Sequence, residues 1–258
     1  MSLLKVTDLT RNFGGLTAVS NVNMDIESQE LIGLIGPNGA GKTTLFNVLT
    51  GIYEPSEGRV ELLVKNRMKD ISGMKPYEIN RLGMARTFQN IRLFKDLTVI
   101  DNVKVGMHQS IHYGSLAAIT RLGRYYREEA KVQQKTIDLL KIMELDHKAG
   151  YLAKNLPYGE QRKLEIARAL ATDPTILFLD EPAAGMNPQE TSELTTLIKK
   201  IKEQFQLTVV LIEHDMSLVM NLCERIYVLD YGRCIASGTP EEIKHNKRVI
   251  EAYLGEEM

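Results

Sequence analysis

Apolar side chains run without interruption through Ile32 to Ile35, Ile176 to Leu179 and Thr208 to Ile212. A strand with one wet face alternates, so continuous runs predict a parallel sheet with helices covering both faces. Leu3 to Ile26 alternates weakly instead, with Val22, Met24 and Ile26 two apart, and predicts strands of a half-exposed antiparallel sheet. From about Arg92 to Tyr158 no such strand appears. There Val132, Thr136, Leu139, Leu140 and Met143 fall on one helical face among strong helix formers, which predicts an inserted helical subdomain over about 92–158. The fold expected is a single α/β domain over 1–258, with an antiparallel β subdomain at its N-terminal end.

The first apolar run leads into Gly36-Pro37-Asn38-Gly39-Ala40-Gly41-Lys42-Thr43, which fills every fixed position of the phosphate loop GxxxxGK[ST]. Glycines let backbone N–H groups approach a polyphosphate closely, and the positive end of the helix starting near Thr44 adds to the attraction. Lys42 is expected to reach the outer phosphates as a point charge, and Thr43 to offer its hydroxyl to Mg²⁺. A nucleoside triphosphate is the expected ligand.

The chain has 258 residues and a formal net charge of −1, which argues against a dedicated nucleic-acid surface. No apolar stretch approaches the roughly 20 residues that span a bilayer, and the first residues lack a signal-peptide core. If this protein works at a membrane, another chain holds it there. Cys223 and Cys234 lack metal-ligand spacing and are expected as inert core residues in strand-like surroundings. Between Asn102 and Arg127 there is no acid, whereas Lys104, Arg121, Arg124 and Arg127 are basic. That stretch reads as a solvated surface, with contact to an anionic membrane or a partner as the alternative.

The second run, Ile176-Leu177-Phe178-Leu179-Asp180-Glu181, ends in two carboxylates at the edge where the phosphate loop lies. Asp180 can hold Mg²⁺ through water, and Glu181, one residue further out, can orient or deprotonate an attacking water. Leu156-Pro157-Tyr158-Gly159-Glu160-Gln161-Arg162 places a glycine at the start of a helix-forming run, a second anion site.

On these motifs the chain resembles the ATP-binding cassette of ABC transporters, whose signature segment is usually Leu-Ser-Gly-Gly-Gln. The resemblance runs from Gly36 to His214. It implies ATP and Mg²⁺ as cofactors, with Phe13 stacking on adenine. Gln89 would contact Mg²⁺ and the attacking water, and His214 would sense the γ-phosphate. It also implies a head-to-tail dimer in which Tyr158, Gly159, Glu160 and Gln161 complete the neighbouring subunit's site. Arg86-Thr87-Phe88-Gln89, Arg92-Leu93-Phe94, Leu97 to Val103, Asp180 to Pro188 and Ala252-Tyr253-Leu254-Gly255 are similar to the larger ATPase subunit of branched-chain amino acid importers. That resemblance implies a peripheral protein on the cytoplasmic face of the membrane. Its partners would be a second ATPase, two integral permease subunits and, indirectly, a solute-binding protein, with no nucleic acid. Urea or amide import, lipopolysaccharide export and a soluble ABC ATPase acting on a non-membrane complex are the alternatives. Pro157 and Asn187 depart from the family's usual serine and aspartate.

Overall fold

The computed structural model describes residues 2–110 and 124–254. Ten strands form two sheets. β1 (Ser2–Phe13), β2 (Leu16–Glu27), β4 (Glu57–Val64) and β5 (Arg67–Asp70) make an antiparallel sheet in the order β2-β1-β4-β5. The second sheet has the order β10-β9-β3-β8-β7-β6. It contains β3 (Leu31–Ile35), β6 (Met84–Arg86), β7 (Ile176–Asp180), β8 (Thr208–Ile212), β9 (Arg225–Asp230) and β10 (Arg233–Gly238). All its pairings are parallel except β9 with β10, which form an antiparallel edge.

The continuous apolar runs now have a cause. Ile32, Leu34, Phe178, Val210 and Ile212 face the antiparallel sheet and share a core with Leu4, Leu9, Val22 and Ile26. Their neighbours Leu31, Ile35, Leu177, Leu179, Val209 and Leu211 point the other way, into a second core built with the helices. Every residue of β3, β7 and β8 is therefore buried. The helix after the phosphate loop, α1 (Lys42–Leu49), seats Phe46 edge-on against Phe178, with centroids 5.1 Å apart.

After α2 (Pro76–Arg81), the described residues between β6 and β7 hold no strand and three α-helices: α3 (Val99–Gly106), α4 (Arg124–Ile142) and α5 (Tyr158–Leu170). Val132, Thr136, Leu139, Leu140 and Met143 are buried, as their spacing predicts. Asn102 is also fully buried, and it clamps the preceding segment by donating to the Phe94 and Thr98 carbonyls and accepting from Phe94 N. Of the basic stretch, Arg121 and the Arg124 side chain lie outside the described residues; Arg127 is exposed and Lys104 half-buried.

The last helices are α6 (Pro188–Phe205), α7 (Met216–Leu222), α8 (Pro240–Lys244) and α9 (Lys247–Leu254). Asn187 caps α6 by accepting from Glu190 N, while Glu190 accepts in return from Asn187 N, each at 3.0 Å. Cys223 corrects one expectation: it lies at the C-cap of α7 rather than in a strand. Its burial holds, and it pushes the thiol up to about 12, so the group stays protonated. Cys234 does lie in a strand, β10, and is half-buried.

Candidate functional site: a phosphate-loop groove

The loop between β3 and α1 takes backbone shapes that its glycines permit. Gly36 has φ 149°, and a Cβ there would stand 2.0 Å from the Leu229 carbonyl oxygen. Gly41, the N-cap of α1, has φ 98°, and its Cβ would meet the Ala18 carbonyl at 2.5 Å. Lys42 is buried and donates to the carbonyls of Gly36 at 2.6 Å and Pro37 at 2.8 Å, so its ammonium is pinned across the loop.

The loop floors an open groove of 690 Å³ lined by Phe13, Asn38, Gly39, Ala40, Gly41, Lys42, Thr43, Thr44, Gln89, Glu181 and His214. Residues separated by most of the chain thus meet in one place. At one end the Arg11 guanidinium sits 4.6 Å from the Phe13 ring centroid and Tyr53 packs edge-on at 5.2 Å. A flat ring supported from behind suits stacking on a base. Tyr231 and Gly232 of the β9–β10 turn close the rim.

At the other end Glu181 carries two partners. Its Oε2 accepts from Gln89 Nε2 at 2.7 Å, and its Oε1 lies 2.9 Å from His214 Nε2. Glu181 adopts φ 45°, an uncommon conformation for a residue with a side chain, and its N–H continues the sheet by donating to Ile212 at 2.9 Å. Behind it Glu213 is buried and accepts from Ala183 N and His214 N. Burial is the main cause holding the Glu213 carboxyl above its ordinary range, and the nearby Glu181 charge adds to it.

Asp180 does not line the groove; it is buried and ion-paired with Arg86 at 2.6 Å. Arg86 also donates to Asn47 on α1 and to Thr50 at its C-cap, each at 2.8 Å. Tyr158, Gly159, Glu160 and Gln161 are absent from the groove lining too, so this end of α5 does not serve the chain's own phosphate loop. Both Glu160 oxygens accept from Lys148 Nζ, at 2.6 and 2.7 Å, which neutralises an acid in a segment expected to face phosphate. Three cations, Arg86, Lys148 and Arg162, were not among the expected site residues. Arg86 and Arg162 stood within the quoted motifs, at the end of β6 and of the signature segment, without a role of their own; Lys148 had no signal short of the fold.

The sequence model of the family described as ABC transporter matches residues 19–184. This chain belongs to the ABC transporter family. A second model, described as branched-chain amino acid ATP-binding cassette transporter, matches residues 233–258 of the cassette. Among curated relatives, the high-affinity branched-chain amino acid transport ATP-binding protein LivG of Escherichia coli K12 is 47% identical over 254 residues, 98% of each chain. The ADP conformation of MJ1267, an ATP-binding cassette of an ABC transporter, superposes with a TM-score of 0.83 at 30% identity and 99% coverage of each chain. A dimeric post-hydrolysis state of the cassette MJ0796, bound to ADP and Pi, gives a TM-score of 0.74 at 26% identity, covering 92% of this chain and 99% of that one. The cassette is an ABC ATPase, with ATP as its nucleotide.

Proposed function

We propose that this cassette hydrolyses ATP in the Phe13-to-His214 groove and so drives branched-chain amino acid import through separate permease subunits. The observation that carries this is the convergence of Gln89, Glu181 and His214 at the mouth of the phosphate loop. Phe13 stacks on adenine, the loop from Gly36 to Thr44 binds the phosphates, and Glu181 accepts a proton from the attacking water. Each Glu181 oxygen has one partner and keeps a second lone pair for that water. His214 then reports the γ-phosphate to Glu181.

Thr43 and Gln89 line the groove and would offer oxygen donors that suit Mg²⁺, Gln89 presenting its amide nitrogen to Glu181 and leaving its oxygen for the cation. Asp180, held outside the lining by Arg86, would act on the ion only through water. The ion would neutralise charge on the β- and γ-phosphates. The triphosphate and water would supply its remaining ligands.

The segment Tyr158 to Gln161, absent from the lining of its own groove, completes the site of a second ABC ATPase across a head-to-tail seam. A further hollow of 660 Å³ lies beside the Gln89 loop, where Arg92 covers Phe88 at 4.1 Å and Arg168 approaches Phe94 at 5.6 Å. The helical subdomain, about 92–158, forms part of its wall and is where a permease docks. Among the described residues no helix is long and apolar enough to cross a membrane. The likeness to ATP-binding subunits of membrane transporters supports a peripheral position on the cytoplasmic face. The substrate is chosen by the permeases and a solute-binding protein. Leucine, isoleucine and valine uptake in cells lacking this chain tests the reading. Wild type should restore it and Glu181→Gln should not; restored uptake of urea or short amides alone would refute the substrate assignment.

A further inference from the structure

Arg162 has the greatest volume of the fully buried side chains among the described residues. It sits in the first turns of α5, just beyond the Tyr158 to Gln161 segment. A guanidinium taken out of water loses its hydration, and here the two Nη groups are matched by protein oxygens while the buried Nε has no partner. One match is Glu165, at 2.9 Å and equally buried. The others are informative. Nη1 donates to the Phe88 carbonyl at 2.6 Å and Nη2 to the Gln89 carbonyl at 2.8 Å. Longer contacts of 3.4 Å run from Nη2 to the Tyr158 hydroxyl and to the carbonyl of Glu181.

One cation therefore joins the loop that carries Gln89, the turn that carries Glu181 and the start of α5. The side chains of the first two meet at 2.7 Å on the groove side of those same backbones. We infer that Arg162 is a positioning residue for hydrolysis: it holds the Gln89 backbone where the Gln89 amide reaches Glu181. The left-handed turn at Glu181 is an uncommon backbone shape that surrounding bonds must hold; Arg162 and Ala184 N both donate to its carbonyl. A movement of α5, as when its N-terminal segment engages a neighbour's phosphates, is thereby felt at Gln89. The inference rests on Glu181 and Gln89 serving hydrolysis, as proposed above.

The test uses the membrane-extracted assembly purified on the full chain, carrying Arg162→Lys, Gln89→Ala, both changes, or Glu181→Gln. Lysine keeps the charge for Glu165 but cannot span all five oxygen partners with one nitrogen. Arg162→Lys should lower kcat about tenfold while KM for ATP stays within about twofold, because misplaced groups cost rate rather than binding. The double variant should be no slower than the worse single one, since Arg162 acts through Gln89. Arg162→Met with Glu165→Gln, which removes the buried charge pair together, should lose more rate, and Lys restored at 162 should recover part of it. An unchanged kcat in Arg162→Lys, losses that multiply with Gln89→Ala, or kcat and ATP affinity falling in step would each overturn the inference. Full turnover by Glu181→Gln would instead defeat the proposed function on which it rests.

Discussion

Arg86 Nη2 donates to Asp180 Oδ2 at 2.6 Å, and the two side chains expose only 8% and 5% of their surfaces. The pair ties the end of β7 to α1, since the same guanidinium bonds Asn47 and Thr50. Removing one partner of such a pair strands the other's charge, at a cost of about 3–5 kcal/mol. Arg86→Met should lose that much in urea unfolding, and adding Asp180→Asn should recover most of it. A single variant as stable as wild type would mean that water reaches Asp180.

Lys42→Ala removes two things at once. Triphosphate affinity should fall about 10- to 100-fold, the worth of one charge-assisted bond, in a fluorescent-nucleotide titration. The nucleotide-free protein should also lose about 1–3 kcal/mol, because the Gly36 and Pro37 carbonyls lose their donor. Unaltered affinity would contradict the phosphate contact assigned to Lys42.

Pro157 occupies the N-cap of α5, where no side chain caps the helix. Serine there supplies a hydroxyl oxygen to the helix, worth about 1 kcal/mol, and its O–H and backbone N–H are two donors toward a neighbour's phosphates. Pro157→Ser should raise both the melting temperature and ATP turnover of the assembled transporter. Turnover that stays level or drops would show that the proline does not weaken the composite site.

Glu213 carries a pH dependence. Burial raises its folded pKa above the ordinary 4.5, so the folded chain binds this proton more tightly than the unfolded chain. The stability it contributes is complete below that ordinary value and disappears as pH rises through the elevated one. Glu213→Gln mimics the protonated acid at every pH. Thermal melts from pH 5 to pH 8 should show wild type losing more stability than the variant, and parallel curves would exclude the effect.

The phosphate loop and the three central strands were legible because each is written locally: glycines where a Cβ would collide, and apolar runs where both faces are covered. The β4–β5 hairpin was not, because Arg67 to Asp70 is exposed throughout and has no alternation to read. β6 is only three residues long. Cys223 looked like strand because Leu218, Val219, Leu222 and Cys223 form a dense apolar patch, yet Asp215 caps a helix there by accepting from Ser217 N and Leu218 N. Within the site, Phe13, the loop, Gln89, Glu181 and His214 converge as the motifs implied. The pairings Arg86 with Asp180 and Arg162 with Gln89 join residues 94 and 73 positions apart, and no local pattern encodes such distances.

The β9–β10 turn gives the groove its unity. Gly232 donates to the Ala40 carbonyl at 2.9 Å and accepts from Ser20 N at 2.8 Å, stitching the phosphate loop to β2, beside the strand that ends at Phe13. The Phe13 wall, proposed to take the base, and the phosphate-loop floor belong to different sheets, and this glycine fastens them. Cutting the chain ahead of β9 should therefore cripple nucleotide capture even with Phe13 and Lys42 intact, because the two halves of the grip would drift apart.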